Sequence, residues 1–218
     1  MSNFFNVLID ALPTLLSGMK VTVYVTVISL VIASILGLCL CFMTLAKSAI
    51  VRGIARVYVN IFRGTPLLVQ ILFIYFGIPS LLGIHMEAIY AGILAMSLYV
   101  TAYMSEIFRA GIQGVDAGQF EASVSIGLKR LQMMRLVILP QAVRSVLPAF
   151  VNQFSMTIKD TSLLSVIGIA ELTFQGQEIY AANFETFTIL FELAVLYFII
   201  VYVLTFISRI LERRMARS

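Results

Sequence analysis

Charge is what this sequence has least of. Only 12% of its 218 residues are Asp, Glu, Lys or Arg, while 61% are hydrophobic, and the mean hydropathy is +1.01. A soluble domain is nearer half apolar and a quarter charged, so an integral membrane chain is expected. Histidine occurs once, at His85 in a short loop, where it is read as solvated, and one histidine cannot build a zinc site. Cys39 and Cys41 both fall in an apolar run and are read as small buried hydrophobes, so no metal is expected. No G-x-x-x-x-G-K-[ST] loop is present, so the chain has no cradle for ATP phosphates. The net charge of +4 and pI near 9.2 do not signal nucleic acid, because the basic residues cluster between apolar runs.

Those runs divide the chain into spans. The 26 residues between Lys20 and Lys47 carry no charge and form a first span. Another 23 uncharged residues lie between Arg63 and Glu87, placing a second span over roughly 56–82. A third covers Ala88 to about Arg109, a fourth Pro140 to about Lys159, and a fifth Thr186 to Ser208. The first 19 residues hold Phe4, Phe5, Leu8, Ile9 and Leu12 before Pro13. They read either as an interfacial helix or as an extension of the first span. The partly apolar 161–185 segment is long for a linker and is expected to dip back into the protein as an outer gate. The whole, 1–218, reads as one all-α membrane domain.

Charge asymmetry sets direction. Lys47, Arg52 and Arg56, then Lys129, Arg130 and Arg135, then Arg209, Arg213, Arg214 and Arg217 fall on one side of a five-span chain. The loops 79–87 and 161–185 contain no Lys or Arg. The positive-inside rule therefore predicts an N-terminus outside and a C-terminus in the cytoplasm.

One polar island interrupts the membrane pattern, at Asp116–Pro140. Asp116 can cap a helix start, with Gln119 completing a capping-box-like pair. Gly127 can take the left-handed conformation that ends a helix. A second short helix is predicted from about Leu128 to Leu139, stopping before Pro140. Two short helices meeting at a glycine make a rigid elbow suited to docking a soluble partner.

Glu121-Ala122-Ser123, then Gly127, then Val137-Ile138-Leu139-Pro140 resembles the EAA loop of ABC-importer permeases, with Ser123 for the second Ala and Val137 for Ile as departures. Arg63-Gly64-Thr65-Pro66-Leu67-Leu68 and Lys159-Asp160-Thr161-Ser162-Leu163 resemble signatures of the polar-amino-acid permeases within that family, and Leu16-Ser17-Gly18 with Thr22 and Thr26 fits the same subgroup. The resemblance implies a type I importer fold of five transmembrane helices in the bacterial cytoplasmic membrane. It also implies a second permease subunit, identical or paralogous, two ATPase subunits that hold ATP and Mg, and an outer solute-binding protein. In that frame Glu121, Ala122, Ser123, Gly127, Leu139 and Pro140 couple the chain to the ATPase.

Charges inside a membrane need a reason, since each costs about 2.5–3.5 kcal/mol at mid-bilayer on insertion scales. Lys159, Asp160, Thr161 and Ser162 offer the mixed charge that a zwitterionic amino acid requires; alternatively Lys159 and Asp160 pair with each other and cap the helix. Asn152, Ser155 and Lys159 share one helix stripe, and Asn152 and Gln153 are too polar for lipid. Glu192 is either a ligand or an interfacial group, and Arg63 is read as structural. Thr22/Thr26 and Tyr99/Tyr103 at i, i+4 read as helix packing. Substrate contacts are thus expected from Asp160, Lys159, Thr161, Ser162, Glu192 and Asn152. The surplus of Asp160, Glu192, Glu171, Glu178 and Glu185 over Lys159 leans toward a cationic side chain. An intramembrane enzyme is disfavoured, because the three membrane acids lie on different spans with no histidine. An ion-coupled transporter or channel is the alternative, although no repeat is visible.

Overall fold

The structure, a computed structural model, describes residues 2–215. Arg217 of the expected basic tail lies outside the described residues, as do the side chains of Arg209, Arg213 and Arg214. Every regular element among the described residues is helical: α1 Ser2–Thr44, α2 Ala49–Gly64, α3 Leu67–Leu72, α4 Ile78–Leu82, α5 Ala88–Gln113, α6 Ala117–Ser125, α7 Arg130–Met133, α8 Leu139–Asp160, α9 Leu172–Asn183 and α10 Thr186–Met215. Four stretches are long and apolar enough to cross a membrane, and α2 with α3–α4 forms a fifth if a 105° bend is allowed.

The N-terminal segment is an extension of the first span, since α1 runs unbroken through Pro13. Its apolar stretch Phe4–Thr44 spans 41 residues. At about 1.5 Å per residue this is roughly 60 Å, twice the hydrocarbon thickness. Helices α1 and α5 run side by side in the same direction: Ser29 Oγ donates to Ile93 O, and Gly37 sits directly against Met104. Val25 of α1 joins Leu67, Ile71, Ala91, Ala95 and Leu164 in one apolar cluster, and Leu15, Leu172, Ile189 and Leu193 form another.

The second span is not straight. Pro66 disfavours helical geometry in the residue before it, and Thr65 is extended at φ −117°, ψ 145°. The chain turns there, leaving the last carbonyls of α2 without helical partners. Gln70 Nε2 donates to Phe62 O at 3.0 Å, Thr65 O at 3.1 Å and Thr65 Oγ1 at 2.8 Å, and Thr65 Oγ1 donates to Ile61 O.

The elbow differs from expectation at both ends. Asp116 caps α6, accepting from Gly118 N, but Gln119 does not complete a capping box; its side chain accepts instead from Gln141 Nε2 of α8 at 3.3 Å. The helix after Lys129 does not stop before Pro140. A π-helical turn over Met134–Ile138 leads straight into α8. The wider turn relieves the clash a proline ring makes with the preceding carbonyls, so the chain stays helical. Phe73–Gly77 does the same ahead of Pro79. The segment 161–185 does fold back: Thr161–Ile167 is a 3₁₀ turn, Gly168 is left-handed, and α9 packs against α1.

Candidate functional site

Two features stand out, a polar cavity between α2, α5 and α8, and the elbow at the base of α8. The cavity, of about 550 Å³, is lined by Arg63, Tyr103, Glu106, Arg109, Asn152 and Gln153 among others. Glu106 is its hub. Arg109 donates to both carboxylate oxygens, at 2.6 and 3.1 Å, a bidentate fork of the strong kind. Arg63 reaches the same carboxylate at 3.7 Å from across the cavity and lies 5.4 Å over the Tyr103 ring. Tyr99 Oη donates to Tyr103 Oη at 3.1 Å, and Asp160 stands within electrostatic reach of Tyr99. A polar track thus runs along one face of α5 from Tyr99 through Tyr103 and Glu106 to Arg109. Arg63 joins this track from α2 through Glu106 and Tyr103, with nearly half its side chain exposed.

The other sequence-derived candidates are distributed. Asn152 lines this cavity. Lys159 lines a separate one of about 370 Å³ with Tyr197, Tyr202 and Thr205. Lys159 and Asp160 make no ion pair within 4 Å. Thr161 and Ser162 donate their hydroxyls to Ile158 O and Lys159 O, leaving only acceptor capacity for a ligand. Glu192 is 7% exposed in α10, and its Oε2 has no hydrogen-bond partner. None of the cavities described joins Asp160 to Glu192.

Glu171 corrects the charge count. Its place in the 161–185 segment predicts an outer-loop acid, yet it is fully buried as the cap of α9. Its carboxylate accepts from Thr173 N at 3.0 Å, Phe174 N at 2.7 Å and Tyr197 Oη at 3.0 Å. Burial pushes its carboxyl above the usual range, and those hydrogen bonds offset part of the effect. The seat is prepared by α1, where Leu172 N donates to buried Thr22 Oγ1 and any Cβ on Gly18 would lie 2.9 Å from Glu171 O. The Ser17-Gly18 motif and Thr22 are therefore a docking surface for the start of α9. A glutamate opening a helical run was the available signal.

At the elbow, Gly127 has φ +76°. Leu128 N bonds Ser123 O and Gly127 N bonds Val124 O, the paired closure of a helix ended by a left-handed residue. Glu121, Ala122 and Pro140 are exposed, Leu139 is half-buried, and Ser123 is buried with its hydroxyl on Gln119 O.

Residues 29–217 match the family model described as the binding-protein-dependent transport system inner membrane component. The arginine transport system permease ArtQ of Bacillus subtilis is 36% identical over 97% of this chain and 96% of its own length. The glutamine transport system permease GlnP of Escherichia coli is 41% identical over 94% of each. A solved amino acid ABC transporter superposes with a TM-score of 0.90 at 36% identity, covering 94% of this chain and 96% of that one. The inward-facing methionine transporter MetNI shares the fold, with a TM-score of 0.78 at 20% identity over 93% of this chain. A helical membrane chain with a glycine-hinged elbow, matched along nearly its whole length, belongs to the family of inner membrane permease components of ABC importers.

Proposed function

We propose that this chain is the permease of an ATP-driven importer of polar amino acids, working by alternating access. One observation carries the reading: beyond Gly127 the exposed elbow runs through α7 and the π turn without a break into α8, the helix whose Asn152 and Gln153 wall the polar cavity. Force applied at Glu121, Ala122, Ser123 and Gly127 reaches the cavity through α7, the π turn and α8, with Leu139 and Pro140 at the junction. Family membership implies an ATPase and a solute-binding protein as partners. Two ATPase subunits and a second permease, identical or paralogous, complete the assembly we propose.

The orientation we propose has the elbow and C-terminus in the cytoplasm and the N-terminus outside, following the basic residues flanking the spans. ATP draws the ATPase subunits and the elbows together, the cavity opens outward, and hydrolysis reverses it. The substrate biases this equilibrium only through unequal contacts with the two states.

For the substrate, Asp160 offers a carboxylate for the ammonium and the adjacent Lys159 a donor for the carboxylate, while Asn152 and Arg63 offer donors in the separate polar cavity. Thr161 and Ser162 can accept, and Glu192, buried with one oxygen unpartnered, is the second acid of the proposed set. Relatives named for arginine and for glutamine both fit a polar amino acid. A lean toward cationic side chains rests on Asp160, Glu192, Glu178 and Glu185, with Glu171 removed from the count. The test is ligand-stimulated ATP hydrolysis and uptake by the complex in proteoliposomes. Uptake that proceeds without the ATPase subunit, driven by an ion gradient, would overturn it.

A further inference from the structure

Where the elbow meets α1, a second cavity of about 1010 Å³ opens, walled by Phe42, Phe120, Leu131 and Met134 and carrying Lys47 and Arg130 but no carboxylate. It shares Ile112 with a neighbouring groove of about 380 Å³ between α5 and α8, whose walls, including Leu38, Phe108 and Val143, are wholly apolar. Phe42 also ends an exposed stripe on α1, Val27, Val31, Ile35, Leu38 and Phe42, at three- and four-residue spacing with no polar member. Such a stripe on a membrane helix suits contact with acyl chains. The apolar groove is therefore continuous with this exposed stripe at one end and with two cations at the other.

We infer that this paired groove binds an acidic phospholipid, its phosphate held by Lys47 and Arg130 and an acyl chain laid along Leu38, Ile112 and Val143. A basic pocket between helices at the membrane edge is the chemistry that retains anionic headgroups. The inference takes from the proposed function only the placement of the elbow at the cytoplasmic surface. The ligand would wedge between the end of α1 and the elbow, so membrane composition would set how tightly the elbow is held.

The chain contains no tryptophan, which supplies the test. The full-length chain carrying Phe42→Trp is reconstituted in phosphatidylcholine vesicles containing brominated phosphatidylglycerol or, separately, brominated phosphatidylcholine. Val31→Trp serves as a reporter of bulk lipid on the same stripe, and Phe120→Trp as a second reporter inside the cavity. Brominated phosphatidylglycerol should quench positions 42 and 120 several-fold more effectively than the neutral lipid, with both lipids alike at position 31. Lys47→Gln and Arg130→Gln should each reduce the preference roughly fivefold, and molar salt should reduce it further. Equal quenching by the two lipids at position 42, or a preference that survives the double substitution, overturns the inference. Quenching by neither lipid also overturns it, and means that protein, such as a second copy of the chain, fills the groove. Quenching needs neither ATP nor substrate, so failure here leaves the transport reading standing, and failure of ATP-driven uptake leaves the lipid site standing.

Discussion

Substitution of Gly127 isolates the elbow's geometry from its contacts. A Cβ built at this position meets nothing within 4 Å, so no neighbour resists a side chain. The penalty is backbone strain alone, at φ +76°. For an L-residue in the left-handed region it is about 1–2 kcal/mol for alanine, less for asparagine, which enters that region readily, and more for β-branched valine. A shift of about 1–2 kcal/mol changes the populations of closed and open elbow by roughly 5–30-fold. The closing bonds, Leu128 N to Ser123 O and Gly127 N to Val124 O, are those at stake. Hydrogen exchange of the amides from Gln119 to Leu128 should therefore accelerate in the order Asn, Ala, Val. Coupling of ATP hydrolysis to uptake in the reconstituted complex should fall in the same order, while membrane insertion is unchanged. If all three variants exchange and transport like the parent, the glycine is not fixing the elbow angle and the argument fails. If exchange rises but coupling does not, the elbow is local structure and force reaches α8 by another route.

Three further outcomes are expected. With Cys39 and Cys41 replaced, cysteines at Lys129 and Gly83 should react with an impermeant reagent from opposite sides of intact cells; reaction of both from outside would contradict the orientation. Because burial raises the Glu171 carboxyl, its contribution is complete below the ordinary carboxylate value and is lost as pH rises through the elevated one. Glu171→Gln should therefore be less pH-dependent than the parent, with the gap in thermal midpoint changing in the variant's favour as pH rises above the usual carboxylate range; a gap independent of pH would refute this. Asp160→Asn should keep the fold and weaken uptake of arginine, lysine or histidine; unchanged uptake in this variant and in Glu192→Gln, or transport of acidic amino acids only, would end the cationic lean.

What could be read from the sequence was local. Asp116 capping α6 and Gly127 reversing the chain follow from a few adjacent residues, and spans follow from runs of uncharged ones. The misreadings involve partners far apart in the chain. Glu106 and Arg63 are 43 positions apart by their numbers, so their meeting was invisible, although Glu106 and Arg109 at i, i+3 were in plain view. Glu171 counts among the outer acids by position alone, whereas Tyr197, which holds its carboxylate, and Thr22, which accepts from the next amide, come from helices far along the chain in either direction. Pro140 signalled a stop, and the wider turn before it removed the steric reason for one.

The corner at Thr65 has a consequence for how this protein moves. A break in a membrane helix frees carbonyls that must find partners within the protein. Here one amide, Gln70 Nε2, bridges the gap like a splint across a fracture, touching three oxygens on the far side while its own Oε1 is left without a partner. A corner set in this way transmits displacement without folding up. Arg63 sits on the last turn before that corner, so the splint also sets where its guanidinium stands beside Glu106.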